Sequence, residues 1–148
     1  MTTLIHNKRA FFDYEILETY EAGAVLYGYE VKALRAGKAS LQGAHVVIRG
    51  GEAYLVGATI AYYQEANTPK NYDQERVRTL LLSKKELKHL EEKSEQAGLT
   101  IVPVKWYNNK SKLKLEIALV RGKKTIDKRE TIKRRDVKRD IDRILKSQ

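Results

Sequence analysis

Cysteine is absent from this 148-residue chain, so no disulfide framework, zinc ribbon or thiol nucleophile can be built from it. Histidine is nearly absent too. His6, His45 and His89 stand at no H-x-H or H-x-x-x-H spacing, which argues against a His-built metal centre. No window approaches the roughly 18 consecutive apolar residues of a membrane span. The opening MTTLIHNKRA lacks the apolar core of a signal peptide, so the cytoplasm is the expected location. There is no G-x-S-x-G elbow and no P-loop, and Gly28 and Gly37 are too far apart for a dinucleotide fingerprint. These absences point away from an enzyme and from any cofactor. Internal repeats and Ser- or Gly-rich linkers are missing as well.

What the chain does have is 42% apolar residues, enough for a core, and a formal net charge of +10. The charge is uneven. Residues 121–148 carry 12 Lys or Arg against 5 Asp or Glu and no aromatic residue, whereas residues 1–120 carry 17 against 14. A blocky basic terminus reads as an arm for a polyanion, because each cation that neutralises a phosphate releases counterions. Within it Val137, Ile141, Ile144 and Leu145 recur at about 100° per residue, the period of a helix. Such a helix is marginal alone in water, so the arm is expected to be disordered when free and to fold on a partner. The expected organisation is a body over 1–121 and a basic tail over 122–148.

In the body, residues 12–29 are rich in Tyr, Ile, Leu and Val, with Glu21-Ala22-Gly23 suggesting strand, turn, strand. Residues 30–37 read as a short helix, with Val31 and Leu34 on its buried side. Two β-rich runs around Gly50-Gly51 predict a hairpin. Residues 60–77 predict a long loop. Ser83-Lys84-Lys85-Glu86 is a capping-box pattern, followed by helical spacing as far as Ala97 and a closing Gly98. Residues 100–107 form a strand in which Pro103 must face an edge or an opening. Leu113, Leu115, Ile117 and Leu119 alternate with polar neighbours in the clearest half-buried strand. About six antiparallel strands with helices between them predict a mainly β fold, an OB-like barrel open along one side, of the kind that binds oligonucleotides.

Basic and aromatic residues interleave as an RNA surface requires. Lys8 and Arg9 precede Phe12, Lys32, Arg35 and Lys38 follow one another at helical spacing, and Arg76 and Arg78 leave the long loop. Rings stack on unpaired bases while cations hold the backbone. Ordinary core packing for Phe12 and a solvated helix face for Lys32 and Arg35 are the competing readings. A constitutive ribosomal structural or assembly protein would show the same basic arm, and a membrane-surface helix is disfavoured by the lack of Trp or Phe in the tail.

Several strings then become recognisable: Asn7-Lys8-Arg9-Ala10, Glu21-Ala22-Gly23, and Gly28-x-Glu30-Val31-Lys32-x-Leu34-Arg35-Ala36-Gly37-Lys38. Further on stand Arg76-x-Arg78-x-Leu80-Leu81-Leu82, Glu86-Leu87, and Arg121-Gly122-Lys123-Lys124-x-x-Asp127-Lys128-Arg129. In this order, over residues 7–129, the chain resembles the small protein B (SmpB) family. The resemblance implies an OB-like barrel that binds the tRNA-like domain of tmRNA and brings it to stalled ribosomes for trans-translation, without catalysis. It also implies a tail that enters the decoding centre and empty mRNA channel of the small subunit as a helix, with elongation factor Tu and GTP as indirect partners. By resemblance Asn7, Glu21 and Leu81 match the family's RNA-binding cluster. Gly122, Lys123, Lys124, Asp127, Lys128, Arg129 and, beyond the motif, Lys133 fall in the ribosome-directed tail. Glu21 cannot meet a phosphate favourably, so its task would be to accept from base amino or ribose hydroxyl groups. Three positions depart from the family pattern: Phe12 replaces a frequent His, Ile126 a frequent Tyr or His, and Trp106 a usual Tyr.

Overall fold

The order of elements follows the alternation and turn chemistry of the sequence closely in the second half of the chain and less so in the first. The computed structural model describes residues 2–63 and 68–122. In chain order these form β1 (Thr2–His6), α1 (Arg9–Asp13), β2 (Tyr14–Ala24), α2 (Gly28–Arg35), β3 (Ala39–Ser40) and β4 (His45–Arg49). There follow β5 (Glu52–Val56), β6 (Thr59–Ile60), β7 (Arg78–Leu81), α3 (Lys84–Ser94), β8 (Leu99–Asn109) and β9 (Lys112–Gly122).

All strand pairings are antiparallel, and they close on themselves. Starting from β4 the circuit runs through β5, β7, β2, β9 and β8 and returns to β4 through the single pair Val46↔Ile101. The result is a six-stranded barrel of the expected OB-like kind, with β1 laid along the free edge of β8 and β3–β6 as a separate two-stranded ribbon. The thin β4–β8 seam is where the barrel is least closed. Pro103 sits there on β8, between the residue paired to β4 and the residues paired to β1, so its missing N–H costs no ladder bond.

Trp106, Ile101, Leu115, Ile117 and Leu119 fill the interior with Leu34 of α2, Leu55 of β5 and Leu90 of α3. Trp106 is wholly enclosed. The β2–β9–β8 wall is covered on its outer side as well, but only at one end. There Ala10 of α1 packs with Tyr14, Val102, Val104, Ala118 and Val120. The rest of that outer wall is open.

The hairpin at Gly50-Gly51 forms as expected, both glycines at positive φ and Arg49 opposite Glu52. Ser83 accepts from the Glu86 N–H while Glu86 accepts from the Ser83 N–H, as the capping box requires. Three expectations need correction. The Glu21-Ala22-Gly23 break is no turn: β2 runs straight through it, because Ala22 pairs with Leu115 and Gly23 with Leu81, and partners on both sides hold the strand extended. The short helix begins two residues early, at Gly28, and buries Glu30, Ala33 and Leu34 while Val31 is only half-buried. α3 stops at Ser94, and Gly98 serves instead the tight entry into β8.

Candidate nucleic-acid interface

The open outer wall begins where α1 ends. On β2 the outward residues beyond that helix are Thr19, Glu21 and Gly23, and Gly23 faces Leu81 of β7. A Cβ added at Gly23 would lie 3.4 Å from the Leu81 Cβ, so glycine lets Leu81 lie flat against the strand. Leu81 is 57% exposed, which excludes a core role for it. On β8 the same wall presents Lys105, Tyr107 and Asn109; the Lys105 ammonium lies 3.6 Å from Glu116 and 5.5 Å from the Tyr107 ring centroid.

Glu21 stands exposed in the middle of this wall. Its Oε2 accepts a short hydrogen bond from the Tyr107 hydroxyl and a longer one, 3.4 Å, from the Asn109 Nδ2. The Tyr107 bond holds its carboxyl below the usual carboxylate range, outweighing partial desolvation, with Asn109 and the Lys114 charge adding to the effect. Glu21 is therefore an ionised, acceptor-only group beside an exposed apolar side chain. That combination suits the face and donor edge of a nucleotide better than its phosphate.

Asn7 lies at the α1 end of the wall but is buried, with its Nδ2 donating to the Pro103 carbonyl at 2.9 Å and its backbone N–H to the Val104 carbonyl. Its work in the fold is to tie the β1–α1 corner over the proline gap. Beside it Lys8 and Arg9 are exposed, and they line an open groove with Ile5, His6 and residues 39–42. Arg9 pairs with Asp13 at 3.2 Å and lies 6.0 Å from the ring centroid of Phe12, which is 60% exposed and thus free of the core.

The basic residues of α2 and its exit are solvent-facing. Lys32 is exposed, Arg35 donates to the Ser111 carbonyl in the β8–β9 turn at 3.2 Å, and Lys38 donates to the Tyr63 carbonyl at 3.4 Å. Arg35 thereby brings the basic helix within two residues of Asn109, so cationic surface adjoins the Glu21 wall around the hairpin tip.

Arg76 and Arg78 behave otherwise, and Arg78 corrects the sequence reading. Arg78 is fully enclosed: it binds Glu30 Oε2 at 2.8 Å, the Ala58 and Gln74 carbonyls, and the Tyr72 hydroxyl. An enclosed guanidinium cannot touch an RNA. Arg76 is also spent on Glu30, lying against the Tyr27 ring at 4.4 Å, and only its edge reaches solvent. Glu30 is the anion that collects them. Burial would raise its carboxyl, but Arg76, the Tyr27 N–H, Arg78 and Tyr72 together bring it down to about 2. The sequence offered Glu30 only as a helix-start acid; two arginines at i and i+2 after a loop, able to turn inward together, were the missed signal.

Gly122 is the last residue of β9, opposite Tyr14. Lys123, Lys124, Asp127, Lys128, Arg129 and Lys133, with the expected tail helix and Ile126, lie outside the described residues. Among the described residues no group of three or more His, Asp or Glu is placed to hold a metal, and no helix is long and apolar enough to cross a membrane.

Comparison with known proteins bears on the whole chain. The family model described as SmpB protein matches residues 4–147. An SsrA-binding protein of Cupriavidus necator is 49% identical over 144 residues, covering 97% of this chain and 96% of its own. One from Syntrophobacter fumaroxidans is 47% identical over 143 residues, 97% and 88% of the two chains. A solved structure of tmRNA–SmpB in the bacterial ribosome superposes with a TM-score of 0.70 at 47% identity, covering 92% of this chain and 95% of the other.

Proposed function

The chain belongs to the SmpB family, and from that premise we propose that it is the RNA-binding adaptor of trans-translation, carrying tmRNA to stalled ribosomes. The observation that carries this reading is the match over residues 4–147, which takes in both the Glu21–Leu81 wall and the basic C-terminal stretch. In this reading the barrel grips the tRNA-like domain. Glu21 accepts from base or ribose donors, Leu81 and Phe12 give apolar contact, and Lys8, Arg9, Lys32, Arg35 and Lys38 attract the phosphates. Asn7, Arg76 and Arg78 serve indirectly, by shaping the surface.

Residues 122–148 act on the ribosome, where Lys128 and Arg129 meet small-subunit RNA phosphates in the decoding centre and mRNA channel. The adaptor catalyses nothing, works in the cytoplasm, and meets elongation factor Tu with GTP only through aminoacylated tmRNA. The test is a gel-shift titration against the tRNA-like domain and an unrelated hairpin of equal length. Strong preference for the former at physiological salt is expected; equal affinity for both defeats the reading. Truncation after Arg121 leaves that preference largely intact and abolishes peptide tagging on stalled ribosomes. Loss of RNA preference in the truncated protein would move the main interface into the tail.

A further inference from the structure

We propose that Tyr107, assisted by Asn109, is a positioning residue for RNA recognition: it pins the Glu21 carboxylate by one oxygen and leaves the other aimed at an N–H or O–H donor of the RNA. The inference rests on the reading of Glu21 as an RNA-facing acceptor. Tyr107 is 4% exposed, its backbone lies between Thr3 of β1 and Lys114 of β9 in the sheet, and the Lys105 ammonium lies 5.5 Å from its ring centroid, so its ring has little freedom. Its hydroxyl donates to Glu21 Oε2. Burial first, and then the Glu21 bond, push the hydroxyl well above the usual tyrosine range, so it remains a donor at every working pH.

Both bonds made to Glu21 converge on the same oxygen; among the described residues Oε1 accepts none. A carboxylate has lone pairs on both oxygens and donates nothing when ionised. The unclaimed oxygen thus selects a base amino, ring N–H or ribose hydroxyl and rejects a phosphate. An unclamped glutamate on an exposed strand would sample several rotamers and lose entropy on binding; the clamp makes that loss in advance, during folding. Leu81, on the neighbouring strand and the same outer wall, supplies a flat apolar shelf on which the donor-bearing base can rest.

The test is a double-mutant cycle on the full-length chain, titrating the tRNA-like domain with wild type, Tyr107→Phe, Glu21→Gln and the pair. Tyr107→Phe keeps the buried ring and is expected to weaken binding about tenfold, the scale of one immobilised side chain. Glu21→Gln weakens it at least as much, and the pair is no weaker than Glu21→Gln alone. The salt dependence stays the same in all four, because no phosphate contact is lost. As pH falls, Tyr107→Phe loses affinity at a higher pH than wild type, since Glu21 without its main hydrogen bond protonates sooner.

Asn109→Ala, at an exposed position, repeats the test without touching the core and is expected to weaken binding about threefold. Wild-type affinity in Tyr107→Phe, or losses that simply multiply in the pair, would overturn the proposal and leave Tyr107 a packing residue. A wild type with no preference for the tRNA-like domain would instead overturn the reading of Glu21 itself, and this inference with it.

Discussion

Two glutamates, nine residues apart in the sequence, have been given opposite tasks by the same kind of partner. Glu30, on α2, is fully buried and accepts from two arginines, a tyrosine and a backbone N–H. Glu21, on the outer wall of β2, is exposed and clamped through one oxygen by Tyr107 and Asn109. In both places hydrogen bonds hold the carboxyl below its usual range. The difference is saturation. Every acceptor direction of Glu30 is used within the fold, so it can only hold the long loop, α2 and β7 together. Glu21 shares its stretch of wall with Glu116 of β9, directly opposite, yet keeps capacity in reserve: among the described residues its Oε1 accepts no hydrogen bond, and in the proposed reading that capacity goes to a donor of the RNA.

The largest effect expected from breaking this contrast is at Arg78. Replacing it by Met leaves Glu30 buried with half its cationic partners gone, and should cost about 3–5 kcal/mol in urea unfolding. A loss below about 1 kcal/mol would mean that the cluster contributes no more than a surface pair. Next comes acid. Because the folded Glu30 titrates at about 2 and an unfolded glutamate near 4.5, its contribution is complete above about pH 4.5 and disappears as the pH falls toward 2. The limb is worth at most about 3 kcal/mol. It should vanish from the stability–pH profile of Glu30→Gln, whose remaining acid sensitivity belongs to other carboxylates.

Smaller again is the effect on the open wall. Leu81→Ala should weaken binding to the tRNA-like domain by about 1 kcal/mol, or fivefold, the scale of partial apolar burial. The unfolding free energy should change by less than about 0.5 kcal/mol, since Leu81 is exposed in the free protein. An equal loss of folding stability would erase the distinction between wall and hub. A change of similar size, but in stability alone, is expected two residues beyond Leu81. Ser83→Ala removes the side-chain half of the α3 capping box and should cost about 1 kcal/mol of stability with RNA affinity unchanged.

Local signals carried the reading of the sequence wherever one stretch of chain decides its own conformation. Gly50-Gly51, Ser83-x-x-Glu86 and the alternation of Leu113 to Leu119 each name a turn, a cap and a strand through contacts only a few residues apart. Pro103 announced an interruption, and it lies at one. The reading failed where the deciding contact is distant. Glu21-Ala22-Gly23 looks like a turn because nothing in that tripeptide reveals that β7 and β9 will hold it extended. Arg78 looks like a surface cation because its partner is 48 residues away. Of the proposed RNA-facing residues, Phe12 and Leu81 are exposed as an interface needs, while Asn7 and Arg78 are turned inward.

The sequence by itself determined the charge, the absence of cysteine and its chemistry, the family motifs and the elements of short range. Those depend on residue type and on spacing along the chain. Only the tertiary structure decided which glutamate is sealed and which is offered, and which oxygen of Glu21 is left to accept. Solvent exposure and hydrogen-bond saturation belong to the space between strands, and closing six of them into a barrel is what creates that space.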